Sequence, residues 1–162
     1  MFDPFDLLKR LTDAQVDFVV IGGLAATIHG ASLPTVDLDI IYERSGPNLD
    51  RLAKVLNELR VRLRGAEDLP LHVDARLLHA GDRFTFTSDL GDLDILATAD
   101  GAAPYAEIKA RAATVMLGSH VVLTASLDDL ILMKQVTGRV KDRAKLAELL
   151  ELRELIEDGG ES

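Results

Sequence analysis

The pattern Asp-Leu-Asp occurs twice in this chain of 162 residues, at positions 37–39 and 92–94. Apolar residues follow both copies, so each copy is predicted to lead into a β-strand. Alternate side chains of a strand point to the same face of a sheet. Asp37 and Asp39 should therefore project together, while the apolar residues between and after them face the core. Asp92 follows a glycine, and for this residue alone we expect the end of a solvated strand or the cap of a turn.

Two aspartates on one face of a strand repel each other, and each raises the pKa of its neighbour. Aspartate is also depleted in strands, so the pair needs an explanation. A divalent cation removes the penalty, and Mg²⁺ prefers carboxylate and phosphate oxygens. Asp37 and Asp39 are therefore predicted metal ligands, with Mg²⁺ as the expected ion and Mn²⁺ as an alternative. Two strands that both carry acidic pairs could converge on one metal site.

A glycine pair stands between a predicted buried strand at 17–21 and a predicted short helix at 24–29. Backbone N–H groups at the start of a helix attract phosphate, and glycine lets a phosphate approach the backbone closely. Gly22 and Gly23 are therefore candidate phosphate contacts. A Gly-Gly pair also serves in ordinary tight turns, so its position ahead of the acidic strand is what favours binding.

The rest of the chain alternates between helical and strand patterns, and only residues 60–82 show no clear pattern. Helices are predicted from Pro4, over 46–59 and 104–112, and from Ser126 and Val140 onward; strands are predicted at 37–42, 84–86, 93–97, 114–116 and 121–124. This order predicts an α/β fold with a mixed β-sheet flanked by helices and a C-terminal helical segment. One domain should span residues 1–157, and residues 158–162 should form a flexible tail.

The net charge of −9 limits the functions that we consider. A protein that only grips a nucleic-acid backbone is normally basic, so a simple DNA-binding module is disfavoured. An enzyme that touches RNA through a local basic patch remains open. Arg60, Arg62 and Arg64 are one such group, and they either steer RNA or form an ordinary solvated face.

Composition also bears on the location of the protein. No apolar run approaches the roughly 20 residues that cross a bilayer, and the first residues lack the basic-then-apolar pattern of a signal peptide. The chain contains no cysteine, which excludes disulfides and thiolate metal sites. We therefore expect a cytoplasmic protein without a membrane partner.

Two segments, VVIGGLAATIHGASLPTVDLDI (19–40) and GDLDIL (91–96), resemble the nucleotidyltransferase superfamily with the polymerase-beta-like fold. Its signature is an apolar strand, a Gly-Ser or Gly-Gly pair, an Asp-x-Asp strand and a third acid on a later strand. Asp94 matches that third acid. Small bacterial relatives of AbiEii-type toxins are more similar still, because they carry a lysine and a later aspartate in a C-terminal helical stretch. Lys134 and Asp142 match these two residues.

This resemblance implies a metal-dependent enzyme that transfers a nucleoside monophosphate from a nucleoside triphosphate to an acceptor hydroxyl. Asp37, Asp39 and Asp94 would be its catalytic and metal-binding residues. The triphosphate would lie over the glycine pair, and Lys134 would neutralise phosphate charge unless it is a solvated helix residue. Asp142 would orient Lys134 or the acceptor, or pair with a surface cation.

Ser32 and Thr35 lie in the loop before the acidic strand and are further candidate phosphate contacts, although loop solvation also explains them. The acceptor could be tRNA or another RNA, a protein or a small molecule. The toxin-like resemblance adds an antitoxin as a candidate protein partner.

Leu33 stands where relatives often carry an arginine, just before the acidic strand. This difference supports an alternative, in which a catalytically lapsed protein of the same fold binds a nucleotide or a partner. A metal-dependent nuclease is a third, weaker interpretation. Such sites commonly place a lysine two residues after the strand acid, where this chain has Ile41 and Leu96.

Overall fold

A computed structural model describes residues 2–32, 34–137 and 140–159, without the side chains of residues 137 and 140–142. Leu33, the helix end expected near Gly138 and residues 160–162 of the expected tail lie outside the described residues. The extent of the predicted domain, 1–157, stays a prediction.

Seven strands form one mixed sheet. They are β1 (Phe18–Ile21), β2 (Asp37–Tyr42), β3 (Arg62–Leu63), β4 (Arg83–Ser88), β5 (Gly91–Leu96), β6 (Ala113–Leu117) and β7 (His120–Thr124). Their order across the sheet is β3-β4-β5-β2-β1-β7-β6. Strand β2 pairs antiparallel with β1 and parallel with β5, and β1 pairs parallel with β7. The predicted mixed sheet is therefore confirmed, and the acidic strand β2 lies at its centre.

Helices flank this sheet, as the sequence predicted. They are α1 (Pro4–Asp13), α2 (Gly22–Ile28), α3 (Gly46–Glu58), α4 (Ala75–Ala80), α5 (Tyr105–Arg111), α6 (Leu127–Thr137) and α7 (Val140–Gly159). The predicted start of α1 is confirmed, because the Asp3 side chain accepts a hydrogen bond from the Asp6 N–H and Pro4 takes the first helical position. No helix in the described part of the chain is long and apolar enough to cross a membrane.

The structure differs from the sequence-based expectation at three places. Helix α2 begins at Gly22, so the glycine pair forms its first turn instead of preceding it. Asp92 lies within β5, ahead of the strand start predicted at Leu93, because β2 and β4 pair with this position on both sides. The stretch without a clear pattern holds β3 and the short helix α4, whose cap Asp74 accepts from the Leu77 N–H.

The central strands form the core with their apolar residues. Leu38, Ile40 and Ile41 of β2 and Leu93 and Ile95 of β5 are fully buried. The predicted alternation holds at the start of β2, where Leu38 and Ile40 enter the core and the two aspartates stay on the opposite face. Burial of the apolar residues on both strands fixes which face carries the acids.

Replacing Ile40 by Ala should lower the free energy of unfolding by about 2–4 kcal/mol, because the change leaves a cavity in the central strand. Urea denaturation followed by circular dichroism measures this loss. Val36→Ala is the control, since Val36 is 74% exposed and its loss should stay near zero. Equal losses in the two variants would contradict the central position of β2.

Candidate functional site

Acidic side chains from two neighbouring strands meet on one face of the sheet. Strands β2 and β5 run parallel, with Asp37 opposite Asp92 and Asp39 opposite Asp94. Asp37, Asp39 and Asp94 each offer a carboxylate oxygen, and these oxygens lie within 4.8 Å of one another. Asp94 is buried, whereas Asp37 and Asp39 are partly buried. The structure therefore brings together the three acids that the sequence singled out.

This carboxylate cluster, which we define as Asp37, Asp39 and Asp94, suits a hard divalent cation. Carboxylate oxygens are the ligands that Mg²⁺ and Mn²⁺ prefer, and three such groups at this spacing could bind one ion or bridge two. The role of each acid as a ligand and the identity of the ion stay predictions.

The cluster has a measurable electrostatic cost. Burial, followed by the charges of Asp37 and Asp94, raises the pKa of Asp39 from its ordinary value of 3.8 to about 7. The positive charge of Lys134 acts in the opposite direction. Near neutral pH, part of the Asp39 population is therefore protonated in the absence of a cation.

Arg64 also belongs to this site, although the sequence patterns did not place it there. Its Nη2 donates hydrogen bonds to Asp94 Oδ1 at 2.7 Å and to the Phe86 carbonyl at 2.8 Å. Its Nε lies 3.4 Å from Asp92 Oδ2. The charged end of Arg64 thus contacts the acidic strands, while the residue as a whole is exposed to solvent. The choice between RNA steering and a solvated face stays a prediction. The sequence marked it only as part of a basic group and did not place it beside the acids, because its partners lie on strands well separated from it along the chain.

The neighbouring Asp39 restricts which residue can stand at position 22. Its φ is +70°, and a Cβ atom at this position would overlap the Asp39 carboxylate. Glycine is thus required both by the left-handed backbone and by the space that Asp39 takes. A Cβ on Gly23 would lie 3.0 Å from Thr35 Oγ1, and that hydroxyl donates to the Asp37 carbonyl at 3.0 Å. The glycine pair, Thr35 and the acids are therefore close together.

A cleft of about 170 Å³ adjoins the cluster. Gly22, Gly23 and Asp39 line it, together with Lys134 from α6 and Lys145 from α7. Its apolar lining comes from Ile21, Ala26, Ala31, Pro34, Leu96, Ala99, Leu130, Met133 and Leu149, and its other charged lining residues are Arg83, Asp100 and Glu148. The cleft thus combines three carboxylates, two lysines and one arginine with an apolar surface, which suits a ligand with both charged and apolar parts.

The remaining predicted nucleotide contacts have different positions. The Ser32 N–H and hydroxyl both donate to Glu148 Oε1, at 2.6 Å and 2.8 Å, and these bonds hold the pKa of Glu148 below its ordinary value. They connect the loop before β2 with α7. Lys134 lines the cleft, whereas the side chain of Asp142 lies outside the described residues. A nucleotide contact by any of these residues stays a prediction.

Solved structures with a similar fold include proteins assigned to the nucleotidyltransferases or called nucleotidyltransferase-like. A Thermotoga maritima protein assigned to the nucleotidyltransferases matches with a TM-score of 0.55 and 18% identity, over 93% of this chain and 96% of that chain. The antibiotic-resistance factor ANT(2″)-Ia matches with a TM-score of 0.54 and 15% identity, over 96% and 91%. An antigenic nucleotidyltransferase-like protein from Paracoccidioides brasiliensis matches with 0.54 and 14%, over 93% and 73%.

These matches show that the chain has the nucleotidyltransferase fold, as the resemblance implied. No protein-family model and no curated protein matches the sequence. The closer likeness to AbiEii-type toxins stays a prediction.

Asp39→Asn should stabilise the metal-free protein at high pH. Because the folded-state pKa of about 7 lies above 3.8, ionisation of Asp39 favours the unfolded state, and stability falls as pH rises through this window. The free energy of unfolding of Asp39→Asn should therefore exceed that of the unchanged protein by a difference that grows by about 2 kcal/mol between pH 5 and pH 8. Urea denaturation in EDTA measures it, with Asp50→Asn, an exposed acid on α3, as the control. A gain that does not change with pH would contradict the pKa.

Gly22→Ala should destabilise the protein and disturb the cluster, because the new methyl group meets the Asp39 carboxylate. Gly118→Ala is a matched control, since Gly118 has a φ of +62° and a methyl group there would meet none of the described residues within 4 Å. The free energy of unfolding of the control should fall by about 1 kcal/mol from backbone strain alone, and that of Gly22→Ala should fall clearly more. Thermal unfolding measures both, and equal losses would show that Asp39 does not occupy this space.

Proposed function

We propose that this chain is a metal-dependent nucleotidyltransferase, which transfers a nucleoside monophosphate from a nucleoside triphosphate to an acceptor hydroxyl. The observation that carries the proposal is the meeting of Asp37, Asp39 and Asp94, whose oxygens lie within 4.8 Å of one another beside a cleft. The nucleotidyltransferase fold supports the same conclusion. Mg²⁺ is the proposed ion, and Mn²⁺ is the alternative.

The cleft offers separate surfaces for the parts of a nucleotide. Lys134 and Lys145 supply positive charge for the phosphates, and Gly22 and Gly23 let a phosphate approach the backbone. The apolar lining can pack against the base and the ribose. Lys134 also lowers the pKa of Asp39, so it lies near enough to influence the charge of the cluster.

In the proposed reaction, the oxygen of the acceptor hydroxyl attacks the α-phosphorus of the triphosphate. The bond from that phosphorus to the bridging oxygen breaks, pyrophosphate leaves, and Asp94 accepts the hydroxyl proton. Asp37, Asp39 and Asp94 would hold the divalent cations, which would supply stabilisation of negative charge on the attacking and leaving oxygens.

The acceptor remains open among RNA, protein and small molecules. The net charge of −9 disfavours a long contact with a polynucleotide, unless a local basic patch offsets it. Incubation with labelled triphosphates and total cell extract identifies the class, because label then appears in RNA, protein or small molecules. An antitoxin partner and a cytoplasmic location stay predictions.

A catalytically lapsed nucleotide-binding protein is the second candidate function. The ion pair between Arg64 and Asp94 favours it, since a guanidinium already neutralises the third acid. Calorimetry with Mg²⁺ and each triphosphate, followed by an assay for pyrophosphate release, separates the two functions. Binding without pyrophosphate release in the presence of cell extract would support the lapsed protein.

Asp37→Asn and Asp39→Asn should each reduce transfer of labelled nucleotide by at least about 100-fold, because each removes a carboxylate from the cluster. Asp50→Asn, which changes the same charge on an exposed helix position, should retain full transfer. Circular dichroism checks that all three variants are folded. Unchanged transfer in both cluster variants would refute the proposed reaction.

A further inference from the structure

Arg64 is held against the acidic strands from several directions. Its backbone N–H donates to the Thr85 carbonyl at 3.0 Å, directly after the pairing of β3 with β4. Its Nη2 bonds the Phe86 carbonyl and the Asp94 carboxylate, and its Nε lies near Asp92. Only 33% of its side-chain surface is exposed. The guanidinium is therefore held in place by both backbone and side-chain contacts.

The position of the guanidinium matters because of the charges around it. Asp94 has 8% of its side-chain surface exposed and Arg64 has 33%, so water screens the Asp94 end of this ion pair less than the Arg64 end. The negative charge of Asp37 also acts on Arg64. Arg64 thus offsets negative charge from three acids on β2 and β5. The fourth acid of this face, Asp39, instead feels the positive charge of Lys134 on α6.

A guanidinium and a divalent cation would use the same negative charge. Arg64 occupies Asp94 Oδ1, and its positive charge repels a cation in the neighbouring cluster. We propose that Arg64 is a built-in counter-ion of the acidic strands and thereby limits the affinity of the carboxylate cluster for divalent metal. In this role it is a positioning residue, since it acts through the acids. This inference rests on the proposed function, because it concerns the same carboxylate cluster.

The inference gives the acids a source of positive charge within the chain itself. Asp37, Asp39, Asp92 and Asp94 lie in register on adjacent strands, and their mutual repulsion would otherwise oppose the pairing of β2 with β5. Arg64 relieves part of that repulsion. When a cation enters, Arg64 must give up part of its interaction with Asp94, and this exchange weakens metal binding.

The test measures binding of Mn²⁺ alone to the full chain, by electron paramagnetic resonance of the free ion. Arg64→Gln removes the charge and keeps a hydrogen-bond donor, so it should bind Mn²⁺ about tenfold more tightly. Arg64→Lys keeps the charge and should bind much like the unchanged protein. Arg60→Gln is the matched control, because Arg60 makes an exposed ion pair with Asp89 at 2.6 Å, and it should leave the affinity unchanged.

A second measurement covers the case in which Arg64→Gln does not fold. In the unchanged protein, the ¹⁵N resonance of the Arg64 Nε should shift when Mg²⁺ is added, whereas that of the Arg60 Nε should not. An Arg64 resonance that stays fixed while Mg²⁺ binds would overturn the inference.

The outcomes also separate this inference from the proposed function. Equal or weaker Mn²⁺ binding by folded Arg64→Gln, with nucleotide transfer intact in the unchanged protein, would overturn only the role of Arg64. An absence of Mn²⁺ binding in every variant would overturn the role of Arg64, and an absence of nucleotide transfer by the unchanged protein as well would overturn both.

Discussion

The parallel, in-register pairing of β2 with β5 is the constraint on which the rest of the site depends. It sets Asp37 opposite Asp92 and Asp39 opposite Asp94, so like charges stand side by side on one face. Like charges directly opposite each other destabilise a sheet. The pairing is retained because the other face of both strands buries apolar residues, whose transfer from water is favourable. Apolar burial thus stabilises an arrangement of acids that electrostatics alone would oppose.

The surroundings of the acids reduce this electrostatic cost in three ways. Arg64 pairs with Asp94 and lies near Asp92, Lys134 acts on Asp39, and the raised pKa of Asp39 lets it keep a proton near neutral pH. Gly22 adds a steric condition, because only a residue without a side chain leaves room for the Asp39 carboxylate. These features together make a site that can accept a bound cation, which is the physical basis of the proposed function.

Local sequence patterns predicted most of the fold because the elements with strong periodicity report their own structure. Strand β2 was predicted with its observed bounds, and the Ser126–Asp129 capping pair is present at the start of α6. Strand β3 was not predicted, because it has only two residues and forms through its pairing with β4. Strand β5 was predicted to begin only at Leu93, and it includes Asp92 because neighbouring strands pair with this residue on both sides.

The sequence by itself determined that Asp37 and Asp39 share a face, because the alternation of a strand is a local property of the backbone. It also indicated, through the resemblance, that Asp94 would join them. Only the tertiary structure decided that β5 lies beside β2 in parallel register, that α6 and α7 close a cleft next to Asp39, and that Arg64 reaches Asp94. These contacts join residues far apart in the chain, and their geometry follows from the packing of whole elements rather than from any local pattern.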